Sequence, residues 1–296
     1  MGGSPVPTLI ACADFGEGEG GAGGGAACSG ELLYSATCPQ PNLGEFLFDC
    51  ESGSCAFTEA LEPVGAVSVT PGELSIVDGV LEMQPFESGF FTTDPALYVF
   101  TPEIGGSFLA VTLVQPFSLN DPPGWPSGSA NLAGLVARDA ACQNANECGL
   151  WTKFEVGSDP DGNPGWVFAS STDDDRVTEP VQDQTFFSEP FPGAPPCPGP
   201  ILVGLCGLRS TEGIALRGMY AAPLSQNMAN VVANGRSWYL PEASSVEVGM
   251  VAASGYGNAA NDLRARFGMF QLHSNIGSAE DCVATFHAVL SQLQAQ

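Results

Sequence analysis

The sequence predicts an all-β fold, a two-sheet antiparallel jelly-roll sandwich, and three observations carry that reading. Between residues 74 and 272, short apolar runs follow one another, each ended by Gly, Pro, Asn or Asp, the punctuation of strands and turns. Within such a run the side chains alternate. In residues 150–156, Leu150, Thr152, Phe154 and Val156 point one way and Trp151, Lys153 and Glu155 the other, the period-two pattern of a strand with one face inward. Composition agrees: 37 glycines and 24 prolines supply turns, and a 44% hydrophobic content over 296 residues supplies a core for one large β domain.

The elements follow in order. Residues 1–42 form a Gly- and Cys-rich arm, whose run at 16–25 has no side chains able to build a core. Cys12, Cys28 and Cys38 are expected to tether it by disulfides. Residues 43–276 form the sandwich. Residues 73–84 read as a hairpin with Asp78-Gly79 at its tip, the dipeptide that a two-residue primed turn prefers. Strands are expected at 108–115, 132–138, 150–156 and 166–170, with a turn-rich loop at 157–165. Residues 171–200 are a long excursion, since the prolines from Pro190 to Pro200 forbid a central strand. Strands resume at 201–205, 214–220, 237–240, 246–252 and 263–272. In the last segment, 277–296, Val283, Phe286, Val289 and Leu290 take helical spacing and Ser278 can cap, so a short helix should pack back on the sandwich.

Charge and cysteines bound the function. There are 33 acidic residues against 8 basic ones, a net charge of −25. Such a molecule is repelled by phosphate backbones and anionic membrane surfaces, which excludes nucleic acid as a partner. No 18-residue apolar run exists for membrane insertion, and no signal peptide is visible in this chain. Ten cysteines with no CxxC, and only two histidines, favour disulfides in an oxidising compartment over zinc. A secreted or cell-surface protein is therefore expected. Close spacing pairs Cys142 with Cys148 and Cys197 with Cys206 as loop staples. The connectivity of Cys12, Cys28, Cys38, Cys50, Cys55 and Cys282 stays open.

Several segments in this order carry a resemblance. The Asp78-Gly79 hairpin is followed by Asp94-Pro-Ala-Leu-Tyr-Val-Phe100, Gly106-Ser-Phe-Leu-Ala-Val-Thr-Leu113 and Ala133-Gly-Leu-Val-Ala-Arg-Asp139. Then come Trp151-Thr-Lys-Phe-Glu155, Trp166, Trp238, Val246-Glu-Val-Gly-Met-Val251 and Arg266-Phe-Gly-Met-Phe-Gln-Leu272. Over residues 43–275 the chain resembles the concanavalin A-like lectin/glucanase superfamily, especially its bacterial laminin G-like members. That resemblance implies a jelly roll whose concave sheet often holds carbohydrate and whose rim often holds calcium. The paired-glutamate strand of its hydrolases is absent here. Arg209-Ser-Thr-Glu212 and Gln271-Leu-His273 echo strand motifs of jelly-roll alginate lyases, but no tyrosine or lysine follows His273 to complete their C-terminal motif.

The candidate chemistry follows from these residues. Asp159, Asp161 and Asn163 place three oxygen-bearing side chains at alternate positions, a spacing calcium loops use, and Asp173 is a further candidate ligand. The same residues make an ordinary hairpin turn. Trp125, between prolines, and Trp151, which shares a strand face with Lys153 and Glu155, are the candidate ligand-binding residues. Aromatics also fill β cores. Arg264 and Arg266 share one strand face, with Arg138 and Arg217 on others, and in so acidic a chain such arginines pair with carboxylates. No nucleophile elbow, HExxH or dinucleotide fingerprint occurs. The leading reading is an extracellular, non-catalytic jelly-roll module that binds carbohydrate or a surface partner, assisted by calcium. The alternatives are a polysaccharide lyase or hydrolase using Arg209, Glu212 and His273, or a self-assembling structural protein of a surface layer or filament.

Overall fold

The computed structural model describes residues 47–50, 53–56, 72–77, 80–85, 97–100, 103–120, 124–140, 150–172, 184–191, 194, 198–221, 230–232, 238–241, 243, 245–254, 262–274 and 276–294. The expected N-terminal arm, Cys142, Cys148, Asp173 and the primed turn at 78–79 lie outside them.

The described chain is an all-β sandwich of two sheets with one C-terminal helix. One sheet contains β1 (Leu47–Cys50), β2 (Gly53–Ala56), β3 (Gly72–Val77), β4 (Val80–Pro85), β6 (Phe108–Phe117), β11 (Ile201–Ser210), β12 (Gly213–Ala221), β13 (Asn230–Val232), β14 (Trp238–Pro241) and β16 (Arg264–Ser274). The other runs β10 (Gln184–Pro190), β9 (Pro164–Thr172), β8 (Leu150–Ser158), β7 (Asn131–Asp139), β15 (Val246–Ser254) and β5 (Leu97–Phe100). Among the described strands every pairing is antiparallel except β1 with β16. The β3–β4 hairpin pairs Val77 with Val80, leaving two residues for its turn as expected.

Strand alternation builds the core. Phe108, Ala110 and Val114 of β6 and Val203 and Leu205 of β11 face Leu135, Phe154, Phe168, Val248 and Met250 of the other sheet. Phe154 sits at the centre, its ring 5.7 Å from Phe168, 5.9 Å from Trp166 and 6.4 Å from Tyr220. Its burial contributes about 2–3 kcal/mol. In β16 the register shifts between Phe267 and Met269. The extra residue of this bulge changes which alternate side chains face inward, and so both Phe267 and Phe270 reach the core.

The helix α1 (Ala279–Gln294) begins as the sequence predicts. The Ser278 hydroxyl accepts the Asp281 amide at 3.1 Å, the Asp281 carboxylate accepts the Gly277 amide at 3.1 Å, and Glu280 and Asp281 lie in the first turn. Its buried face (Cys282, Phe286, Val289 and Leu290) lies on Leu109, Val111, Leu113, Leu202 and Met219, the outward side chains of β6, β11 and β12. A disulfide joins Cys206 to Cys282 across 76 residues. This corrects the expected Cys197–Cys206 staple. Cys206 alternates with the inward Leu205 and so faces the docked helix rather than the preceding Pro-rich segment.

Candidate functional site

The second face of β8 departs from expectation. Trp151, Lys153 and Glu155 do share it, but it is not a wet face: they are 8%, 3% and 0% exposed. The Lys153 Nζ lies 3.9 Å from Glu155 Oε2 and 4.7 Å from the centroid of the Trp151 ring. A buried ammonium needs such compensation. Neighbouring outward positions, Val136 of β7, Val167 and Ala169 of β9 and Val251 of β15, are buried as well. Alternation decides which residues share a face; whether that face meets water depends on the tertiary cover.

The alternative catalytic trio does not converge. Leu109 pairs with both Cys206 and His273, so His273 lies on the helix-bearing face of its sheet, where its Nε2 is 3.3 Å from Gln271 Oε1. Arg209 follows Cys206 by three residues in an unbroken ladder and therefore projects from the opposite face. Its guanidinium donates to the Ala243 carbonyl. Glu212 is exposed in the β11–β12 turn, where its amide bonds Ser210 Oγ at 3.2 Å.

Other candidates do meet, at one rim of the sandwich. The described parts of the connection between β6 and β7 (residues 118–120 and 124–130) include Trp125, half-buried against the core with its ring 6.0 Å from Phe191. Phe191 in turn lies 5.2 Å from Tyr220, and Tyr220 6.5 Å from Trp166, so aromatic rings run from the rim into the interior. Burial, then the charge of Glu189, raise the Tyr220 pKa above its ordinary value against a bond from Trp166, so the phenol stays protonated. The β8–β9 turn abuts the Trp125 loop. The Asp159 carbonyl accepts the Ala130 amide at 3.0 Å, Ser158 Oγ donates to the Pro126 carbonyl, and Gly162 approaches Gly128. Trp151 sits seven residues back along β8, about 23 Å away, so Trp125 and Trp151 serve no common site.

The turn at 159–163 behaves first as a turn. Asp159 Oδ1 accepts the amides of Asp161 at 2.9 Å and Asn163 at 2.8 Å, and Gly162 takes φ +81°, the left-handed region open to glycine. Asp161 and Asn163 are exposed. Among the described residues no group of three His, Cys, Asp or Glu side chains converges on a point that could hold a metal ion.

The anchor of this rim is a residue the sequence did not single out. Asp262, just before β16, is fully buried. It accepts the Ser118 hydroxyl on both oxygens (2.8 and 2.9 Å), the Asn120 amide at 2.9 Å and its side-chain amide at 2.8 Å, and the Ser127 amide and hydroxyl at 2.6 Å each. Burial pushes the carboxyl up, but the bonds from Ser127, Asn120 and Ser118 outweigh it, and its pKa lies below the ordinary aspartate value. Asn131 joins the cluster through its side-chain amide, 2.7 Å from the Ser127 carbonyl. No local motif announces this constellation, since its partners stand 135–144 residues apart.

No family model matches the chain, and no curated protein matches it. Solved structures with a similar fold include a bifunctional GH43-CE protein of Bacteroides eggerthii (12% identity, TM-score 0.47), which matches 70% of this chain. This chain spans only 22% of that protein's length. A legume lectin-like domain from Entamoeba histolytica aligns over 70% of this chain and 88% of its own at 8% identity, TM-score 0.43. Alginate lyase Aly36B, in complex with alginate tetrasaccharide, aligns over 69% and 85% at 11% identity, TM-score 0.42. At these identities and TM-scores the likeness is a partial one of fold and assigns neither a superfamily nor a role to this chain.

The expected arginine–carboxylate pairs are present. Arg138 Nε and Nη2 both lie 2.7 Å from Glu247 Oε2, while Arg264 and Arg266 flank Glu82. Among the described residues no helix is long and apolar enough to cross a membrane.

Proposed function

We propose that this chain is an extracellular, non-catalytic module that binds carbohydrate, or a glycan-bearing surface, through the rim formed by residues 118–120 and 124–130 and the β8–β9 turn. The observation that carries the reading is the support beneath Trp125. An aromatic ring stands half-buried at a rim whose loop is held by the Asp262 bonds. Ser127 and Gly128 of the same loop, and Asp161 and Asn163 of the β8–β9 turn that abuts it, are exposed. A loop held in one conformation before binding loses little entropy on binding, and an aromatic ring offers a flat apolar face. The separation of Arg209 from His273 favours binding over lyase chemistry. Calcium belongs to this reading as an accessory at Asp159, Asp161, Asn163 and Asp173.

Titration calorimetry of the non-reduced protein against neutral and acidic polysaccharides tests it. The expected result is saturable binding that weakens at least tenfold in Trp125→Ala, measured at a temperature where both proteins are folded, since loss of the Trp125–Phe191 packing lowers the melting temperature as well. Binding indifferent to Trp125, or release of unsaturated or reducing ends from the polymer, overturns it. For calcium, the melting temperature in millimolar calcium should exceed that in EDTA; equal values remove the metal.

A further inference from the structure

Cations are rare in this chain, 8 among 296 residues, yet two of them stand side by side at the edge of the rim. Arg264 and Arg266 open β16, two and four residues after the rim anchor Asp262, and pair with Phe117 and Gln115 of β6. Alternation puts both guanidinium groups on the outer face of the larger sheet. Their side chains are 36% and 17% exposed, so Arg264 is the more accessible of the two. The groups facing them from β4 and β6 are Glu82, Gln84, Gln115 and Phe117. Of these only Glu82 is charged; Glu73 of β3, paired with Gln84, lies one strand further out on the same face.

The bonds within the cluster leave most guanidinium donors unengaged. Arg266 Nε donates to Glu82 Oε2 at 2.9 Å, and its guanidinium lies 5.0 Å from the centroid of the Phe117 ring, within cation–π range. Arg264 Nη2 donates to Gln84 Oε1 at 3.1 Å, and its Nε is 3.3 Å from Glu82 Oε1 without hydrogen-bond geometry. Gln115 Nε2 is turned away to the Pro198 carbonyl. Among the described residues, both terminal nitrogens of Arg266 and Nη1 of Arg264 have no protein acceptor. Neutralising Glu82 requires one arginine; the second, beside the Phe117 ring, adds a planar donor fork suited to an oxyanion.

We propose that Arg264 and Arg266 form an oxyanion site, and that the glycan bound at the adjoining rim is therefore anionic, carrying carboxylate or sulfate groups. This rests on the carbohydrate-binding reading above. The molecule's overall negative charge does not prevent it: at physiological salt, charges beyond about 8 Å are largely screened, and the contact is made at hydrogen-bond distance.

The test is titration calorimetry of the full chain with polygalacturonate, dextran sulfate and neutral dextran, comparing wild type, Arg266→Gln, Arg264→Lys/Arg266→Lys and Trp125→Ala. Arg266→Gln leaves Arg264 beside Glu82, and an unchanged thermal melt verifies its fold. The expected result is binding of at least one anionic polymer, weakened at least tenfold by Arg266→Gln, only partly kept by the double lysine variant, which retains the charge but not the donor fork, and falling with added salt. Anionic binding unaffected by Arg266→Gln, or preference for neutral dextran, overturns the oxyanion site while Trp125-dependent binding still upholds the rim. Equal, Arg266-dependent binding of free sulfate and of polymer, indifferent to Trp125, overturns the glycan assignment and leaves a small-anion site. No binding by wild type overturns both.

Discussion

The Ser118 hydroxyl lies within hydrogen-bond distance of both carboxylate oxygens of Asp262, 2.8 and 2.9 Å away, although 144 residues of chain separate the two. Together with Asn120 and Ser127, this fastens the β6–β7 connection to the entry of β16, and so fixes the platform on which Trp125 stands.

Replacing the anchor is therefore expected to loosen the rim. Asp262→Ala leaves the Asn120 and Ser127 amides without their acceptor, at a cost of about 2–4 kcal/mol. Denaturant unfolding measures it. Amide exchange should show the protection loss concentrated in residues 118–130; a loss spread evenly over the sandwich contradicts the anchoring role.

The same carboxylate makes a pH prediction. Its pKa is depressed in the folded protein, so its stabilisation is complete above the unfolded aspartate value of about 3.9 and is lost as pH falls through the lower folded value. Asp262→Asn should remove that component, so the gap in melting temperature between wild type and variant narrows below about pH 4. A gap constant from pH 6 to pH 2 would contradict the assignment.

On the other face of the larger sheet, Phe286 occupies the space that Gly204 leaves open. A methyl group added at Gly204 would stand 2.7 Å from Phe286 Cδ2. Gly204→Ala is expected to cost about 1–3 kcal/mol by overpacking, and Phe286→Ala about 3–5 kcal/mol by leaving a cavity. Their double variant should lose less than the sum, because the methyl group fills part of the vacated space.

The Cys206–Cys282 bond closes a long loop and holds the helix where its apolar face already packs. Cys206→Ala/Cys282→Ala is expected to lower stability by about 4 kcal/mol, mainly through the freed unfolded chain. Far-ultraviolet dichroism at 20 °C should still show the helix, since Phe286, Val289 and Leu290 remain buried against β6 and β11.

Most of the long strands and the short C-terminal helix were legible because each depends on local pattern, whereas β10 (Gln184–Pro190) is a strand within the segment read as a long excursion. Alternation in β6, β7, β8 and β15 and the spacing of Phe286, Val289 and Leu290 are properties of neighbouring residues, and so is the Ser278 cap. The pairing of Arg264 and Arg266 with a carboxylate followed from charge scarcity and a shared strand face. The Cys197–Cys206 staple failed because proximity in sequence says nothing about which face a strand cysteine takes.

By itself, then, the sequence determined the all-β class, which residues share a face of each strand, and the helix and its cap. The tertiary structure decided which faces are wet: it buried Lys153 and Glu155, placed Arg209 and His273 on opposite sides of one sheet, and brought Trp125 to the β8–β9 turn. It alone joined Asp262 to Ser118, Asn120 and Ser127, and Cys206 to Cys282. The physical reason is range. Periodicity and capping act over a few residues, whereas burial, disulfide pairing and the saturation of a buried carboxylate depend on segments that meet only when the two sheets close on each other.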